Sequence, residues 1–339
     1  MTQKIKNALI SVSEKSDLQK ILPTLDKYKI NLISSGGTYK EIKKLGYRCN
    51  ELSKYTGFKE MLGGRVKTLH PKIHAGILSD RSNKRHQDEM IKNRFKNIDL
   101  IIVNFYPFQK IVLKTKNSRN IIENIDIGGP TMVRAAAKNF KDVLIITSKK
   151  DYDALVDELR QRKGKTSLQF REYMASKAFG LTAYYDSMIA AWFNKKLNIT
   201  FPDRKTIFGK KLTQLRYGEN PHQKSSIYVN DFNDQETGLK KISGKDLSYN
   251  NYNDIFAGLE ILASFKKSGT VIIKHANPSG ISINKPPIRS FQESLNCDPV
   301  SAFGGVVACN FKIDKKIAKK MSSVFFEVIL ARAFNKEAL

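Results

Sequence analysis

Leu62-Gly63-Gly64-Arg65-Val66-Lys67-Thr68-Leu69-His70-Pro71 gathers two glycines, two cations, a hydroxyl and a histidine in one run. Amides freed by glycine, with Arg and Lys alongside, suit a phosphorylated anion. Two upstream segments have the same character: Ser11-Val12-Ser13-Glu14-Lys15 and Ser35-Gly36-Gly37-Thr38. Each follows an apolar run and leads into a helical pattern, where open amides and hydroxyls hold phosphate. A capping Ser or Thr explains either one alone. The three together favour a phosphate pocket.

Other candidates follow along the chain. Ile125-Asp126-Ile127-Gly128-Gly129-Pro130 leads into a helix carrying Arg134 and Lys138, with Pro130 suited to its first turn. Asn104-Phe105-Tyr106-Pro107 ends a strand, so Tyr106 points either into a pocket or into packing. Lys274-His275-Ala276-Asn277-Pro278-Ser279-Gly280 follows a buried strand. A histidine there can accept a proton while the neighbouring lysine steadies negative charge. His70 and His74 are four apart, but Pro71 intervenes and no glutamate or carboxylate cluster completes a metal set. The Lys274-His275 segment likewise lacks the H-x-E and C-x-x-C of a zinc deaminase. No metal is expected.

The elements that must position these residues read as a mainly parallel α/β sheet. Its candidate strands are Ala8–Val12, Ile30–Ser34, Leu100–Phe105 and Val143–Thr147, and Gly46 caps a helical pattern over Tyr39–Leu45. A long helix over Leu168–Leu197 closes this half, and Asn198–Lys210 reads as a linker. Domains are therefore expected at 1–200 and 201–339. The second holds a helix over Tyr252–Phe265, apolar strands at Thr270–Ile273 and Gly305–Ala308, and a strand-like Val328–Leu330.

Bulk properties narrow the class. The 339 residues suffice for two domains, and 41% hydrophobic with 27% charged residues is a globular composition. No apolar run approaches the length of a membrane helix, and Met1-Thr2-Gln3-Lys4 has no signal-peptide layout. Cys49, Cys297 and Cys309 are few and scattered, as in a reducing cytoplasm. The net charge of +27 comes from lysines spread along the whole chain. That is a solvated surface, with no nucleic-acid motif and no membrane partner.

In order, Ser-Val-Ser-x-Lys, Ser-Gly-Gly-Thr, Gly-Gly-Arg-Val-Lys-Thr-Leu-His-Pro, Asn-Phe-Tyr-Pro-Phe, Asp-Ile-Gly-Gly-Pro, Arg-Ala-Ala-Ala-Lys-Asn, Leu-Arg-Tyr-Gly-Glu-Asn-Pro-His-Gln and Lys-His-Ala-Asn-Pro-Ser-Gly form a collinear set. The set resembles the bifunctional purine-biosynthesis family that joins AICAR formyltransferase to IMP cyclohydrolase. The resemblance implies a methylglyoxal-synthase-like, doubly wound parallel α/β domain that closes formyl-AICAR into IMP. A cytidine-deaminase-like α/β domain without zinc follows. It also implies that Ser13, Glu14, Lys15, Ser35, Gly36, Gly37, Thr38, Arg65, Val66, Lys67 and Thr68 hold the nucleotide. Val103, Asn104, Asp126 and Ile127 would line the base, Lys67, Tyr106 and Asp126 would polarise the formyl oxygen, and Lys138 would transfer protons.

In the second domain the resemblance implies formyl transfer from 10-formyltetrahydrofolate to AICAR. His275 would be the base, Lys274 the electrostatic stabiliser, and Arg216, Tyr217, Gly304 and Glu327 the AICAR contacts. Family members form homodimers and continue beyond the equivalent of Leu339, and Leu330-Ala331-Arg332 stands where they have Ile-Ala-Pro. The expectation is an incomplete second domain, with the cyclohydrolase half retained. The alternative is a non-catalytic nucleotide-sensing module of the same N-terminal fold.

Overall fold

The computed structural model describes residues 2–229 and 238–339. One compact unit ends at Gly209 and another begins at Lys210.

The first unit is built on a five-stranded sheet. Its strands are β1 (Asn7–Ser11), β2 (Asn31–Ser34), β3 (Asn50–Glu51), β4 (Leu100–Val103) and β5 (Leu144–Ile146). All pairings are parallel and the order is β3-β2-β1-β4-β5. Short apolar runs such as Leu100-Ile101-Ile102-Val103 are buried along their whole length, as strands covered on both faces must be. In this order the chain winds outward from β1 and then crosses back to β4. The crevice between the carboxyl ends of β1 and β4 is therefore a topological switch point, where such sheets bind ligands.

Helices α1 (Leu18–Lys27), α2 (Gly36–Lys44), α3 (Pro71–Leu78), α4 (Gly128–Lys138) and α5 (Tyr152–Gln161) surround the sheet. Helix α2 starts at the glycines, earlier than the expected Tyr39, because Gly36 enters it with φ +52°. Gly46 ends the pattern at φ +87°, as a C-terminal cap should. The 29-residue α6 (Leu168–Lys196) carries a fully buried Arg171. Its guanidinium donates to the carbonyls of Phe140, Lys141 and Thr166 at 2.7–2.8 Å. That satisfies both the arginine and the chain leaving α4.

The second unit has a four-stranded sheet of β6 (Gly269–Lys274), β7 (Asn277–Ile283), β8 (Val306–Cys309) and β9 (Val328–Leu330), in the order β7-β6-β8-β9. Only the β8–β9 pairing is parallel. Alternation divides the core between two faces. Ile272 and Val307 join Phe291 and Leu295 of α8 (Pro287–Cys297), and Val271, Ile273 and Ala308 join Ile255 and Leu262 of α7 (Tyr249–Ala263). The Asn277–Gly280 stretch, for which the sequence suggested no strand, begins strand β7. Among the described residues, no helix is long and apolar enough to cross a membrane.

Gly280 of β7 packs directly against Ser294 and Cys297 of α8. A methyl group there would overlap the Ser294 carbonyl, which is backbone and cannot swing aside. Gly280→Ala should destabilise the second unit by about 3 kcal/mol or prevent its folding. A urea titration checks this, and an unchanged midpoint would contradict the tight packing.

Candidate active site

At the switch point, side chains satisfy the strand ends and leave loop amides open. Ser13 donates its amide (2.6 Å) and hydroxyl (2.9 Å) to Asn104 Oδ1, joining the loops after β1 and β4. Buried Thr38 accepts from the Val12 amide at 3.1 Å and donates to the Val12 carbonyl at 2.9 Å. Its hydroxyl therefore orders the neighbouring loop. The Ser35 side chain makes no capping bond to α2, and the first-turn amides at Gly36-Gly37 have no side-chain acceptor among the described residues.

Two lysines reach this helix start. A Cβ on Gly36 would lie 2.7 Å from Lys67 Nζ, and one on Gly37 would lie 3.0 Å from Lys15 Cε. Glycine at these positions is what allows the ammonium groups to lie against backbone. Lys15 also donates to the Ser13 carbonyl at 3.0 Å, and Lys67 pairs with Glu60 at 3.2 Å. Two cations, open amides and the positive end of the helix dipole together form a cradle for a phosphate dianion.

Asp126 and Tyr106 stand on the rim of the Lys67 loop. The Asp126 carboxylate accepts from the Gly129 amide at 2.8 Å, and its own amide donates to the Tyr185 hydroxyl at 2.9 Å. Burial pushes the Asp126 carboxyl up, against the opposing pull of the Gly129 and Tyr106 amides. Burial also pushes the Tyr106 phenol up, followed by the negative charges of Asp126 and Glu60. The structure thus brings Lys67, Tyr106, Asp126 and Glu60 into one electrostatic neighbourhood. It holds a protonated phenol and a carboxylate made more basic than usual.

The remaining expected residues are placed as follows. Arg65 is ion-paired with Glu123, Val66 bridges to Met61, and Glu14 is held by Lys149. Val103 is buried in β4, so only its backbone can face a ligand, whereas Ile127 is exposed. Thr68 is buried and its hydroxyl lies against Gly128 at the start of α4. Lys138 is not brought to this group. It is ten residues beyond Gly128, about 15 Å along the helix at 1.5 Å per residue. There it lines a groove of about 710 Å³ with His74, Arg134, Glu172 and Phe179.

In the second unit, β6 and β7 meet in a two-residue turn at His275-Ala276, with φ of 53° and 59°. Such turns favour Asn-Gly, so this pair is strained. The Ala276 amide donates to Asp254 Oδ1 at 2.7 Å, which anchors the turn. Lys274 donates to the Phe303 and Gly304 carbonyls at 3.0 Å, and Gly304 has φ +67°. Arg216 stacks on Tyr217 at 4.9 Å, and the Tyr217 phenol is near enough to Glu327 to feel its charge. The Glu327 amide bonds the carbonyl of Gly305 at 2.9 Å. The structure therefore collects Lys274, His275 and Gly304 at one sheet edge, with Glu327 and Tyr217 beside it.

Glu60, Tyr185 and Asp254 were not singled out from sequence. Glu60 is one charge among many, and Tyr185 is one of several aromatics on a long helix. Asp254 sits in an asparagine-rich helix start with no motif of its own. Among the described residues, no group of three or more His, Cys, Asp or Glu is placed to hold a metal.

Residues 136–339 match the family model described as AICARFT/IMPCHase bienzyme, and residues 17–131 match an MGS-like domain. The first of these matches begins inside α4. The bifunctional purine biosynthesis protein PurH of Bradyrhizobium diazoefficiens is 43% identical over 343 residues, covering 99% of this chain and 64% of that protein. The PurH of Persephonella marina is 43% identical over 338 residues, covering 98% and 65%. That of Leptospira biflexa is 42% identical over 336 residues, covering 99% and 65%. The chain thus spans 64–65% of the length of these relatives.

Lys15→Ala should weaken binding of a nucleoside monophosphate roughly ten- to a hundredfold, the range for a lost charge-assisted hydrogen bond. The salt dependence of affinity should fall with it, as calorimetry at two ionic strengths would show. Equal affinity in the variant would remove Lys15 from the cradle. Ala276→Gly should relieve the turn and stabilise the second unit by up to about 1 kcal/mol, net of glycine's entropy. Chemical denaturation measures this, and a loss of stability would mean that the turn is unstrained.

Proposed function

The chain belongs to the AICARFT/IMPCHase bienzyme family, and from that premise we propose that its first unit closes formyl-AICAR into IMP. The observation that carries this reading is the Lys15–Lys67 cradle over Gly36-Gly37, with Asp126 and Tyr106 beside it. The cradle holds the phosphate, and the rim residues lie toward the base.

The reaction joins two groups of one molecule. The carboxamide nitrogen attacks the formyl carbon, a C–N bond forms, and the formyl oxygen leaves as water. Holding the two groups in contact removes much of the entropic barrier. The protonated Tyr106 phenol donates to the formyl oxygen as charge develops there, while Lys67 stays on the phosphate. Asp126, made more basic by burial, accepts a proton from the carboxamide nitrogen. Lys138, at the far end of α4, is given no proton-transfer step in this reading.

The second unit is proposed to serve formyl transfer to AICAR from a folate-type donor. The amine attacks the formyl carbon and the bond from that carbon to the donor's nitrogen breaks; His275 takes the proton of the attacking amine and returns it to the departing nitrogen, while Lys274 steadies the charge on the formyl oxygen. Arg216, Tyr217, Gly304 and Glu327 hold the nucleotide. Membership of a two-enzyme family weighs against a purely nucleotide-sensing module.

Conversion of synthetic formyl-AICAR to IMP, followed by absorbance, tests the proposal. Turnover is expected from the chain as it stands, and its absence from a folded sample would overturn the cyclohydrolase reading. Lys138→Ala should leave kcat within about twofold of wild type, since general acid–base help needs hydrogen-bond reach of the reacting proton. A tenfold or larger loss would return Lys138 to the chemistry.

A further inference from the structure

We infer that Lys149 is a positioning residue for the phosphate cradle: bridging Glu14 and Asp17, it holds the loop after β1 and keeps both carboxylates off Lys15. The inference rests on the reading of that cradle as a nucleotide-phosphate site. In the run Ser13-Glu14-Lys15-Ser16-Asp17 a single cation stands between two carboxylates. A lysine so flanked has counter-ions in its own loop, and a free carboxylate beside the cradle repels the phosphate.

A cation from another strand end removes the conflict. Lys149 Nζ lies 2.5 Å from Glu14 Oε1 and 3.2 Å from Asp17 Oδ2. Lys20 reaches the other Asp17 oxygen at 3.4 Å. Lys15 is left to donate to the Ser13 carbonyl at 3.0 Å and to lie against Gly37. Asp17 occupies the N-cap position of α1, where an aspartate ordinarily accepts from first-turn amides, yet its side chain makes no such bond. Its carboxylate is engaged by the lysines instead. The Lys149 hydrogen bond holds that carboxyl below the usual range, and Glu14 and then Asp17 push the Lys149 ammonium up.

The arm that presents Lys149 is itself fixed. It leaves β5 and turns once as a 3-10 helix over Lys149–Asp151. The Ser148 hydroxyl accepts the Lys150 amide at 3.2 Å, and the Ser148 carbonyl accepts the Asp151 amide at 3.1 Å. Buried Asp151 pairs with Lys177 of α6. Lys149 thus ties the loop after β1 to the loop after β5, as Asn104 ties it to the loop after β4.

IMP and inosine differ only in the phosphate, so together they separate an effect on the cradle from a general loss of structure. The Lys149 side chain is 40% exposed, so its substitution leaves the core packing in place. IMP affinity by calorimetry should fall about fivefold in Lys149→Met, the scale of losing partly exposed ion pairs. Lys149→Glu adds a third carboxylate and should weaken IMP roughly twentyfold or more. Lys149→Arg should stay within about twofold of wild type. Inosine affinity, read from amide shifts, should stay within about twofold in all three variants. Equal loss of IMP and inosine affinity would mean that Lys149 only maintains the fold, and would overturn the inference. Equal IMP affinity in wild type, Lys149→Met and Lys149→Glu would overturn it and leave the cradle intact. A wild-type chain that does not bind IMP would overturn the cradle and this inference together.

Discussion

The carboxyl edge of the five-stranded sheet depends on a clasp made by three side chains. Ser13 to Asn104 and Thr38 to Val12 satisfy the strand ends that pairing leaves open. Buried backbone groups must find partners, and here side chains supply them. The loops are thereby held without using the amides at the start of α2. Those amides, with Lys15 and Lys67 above them, retain their capacity for an anion. If the clasp failed, the two lysines would repel each other across a disordered edge.

The two units use glycine in the same way. Gly36 at φ +52° lies under Lys67, and Gly304 at φ +67° lies under Lys274. In each case the absent side chain lets an ammonium group approach the main chain, and the unusual φ is one that glycine adopts without strain. The second unit adds strain of its own, since His275 and Ala276 both adopt left-handed backbone. The carboxylate of Asp254 holds that turn from the neighbouring helix.

Much of this was legible in the chain. Apolar runs marked β1, β2, β4, β5, β6 and β8, because strands buried on both faces leave no polar alternation to obscure them. The Ser-Gly-Gly-Thr and Gly-Gly-Arg-Val-Lys-Thr segments pointed to phosphate, and Lys67 was singled out with its loop. Strand β7 was less visible, since its Asn-Pro-Ser-Gly start has the composition of a turn. Thr38 was assigned to the ligand, yet its hydroxyl is engaged by Val12, a long-range contact that spacing cannot reveal. Lys138 sits at the wrong end of α4 for the Asp126 group because three helical turns separate them. Asp254 acts through a contact made only in three dimensions.

The central claim is that the start of α2 is the phosphate seat of a purine nucleotide. Amide correlation spectra of the chain, recorded as IMP is added, test it most directly. The account predicts that the amides of Gly36, Gly37 and Thr38 move first and furthest, together with those around Lys15 and Lys67. Saturable binding that leaves these amides unmoved, with shifts confined to the Lys138 groove or to the second unit, would contradict it.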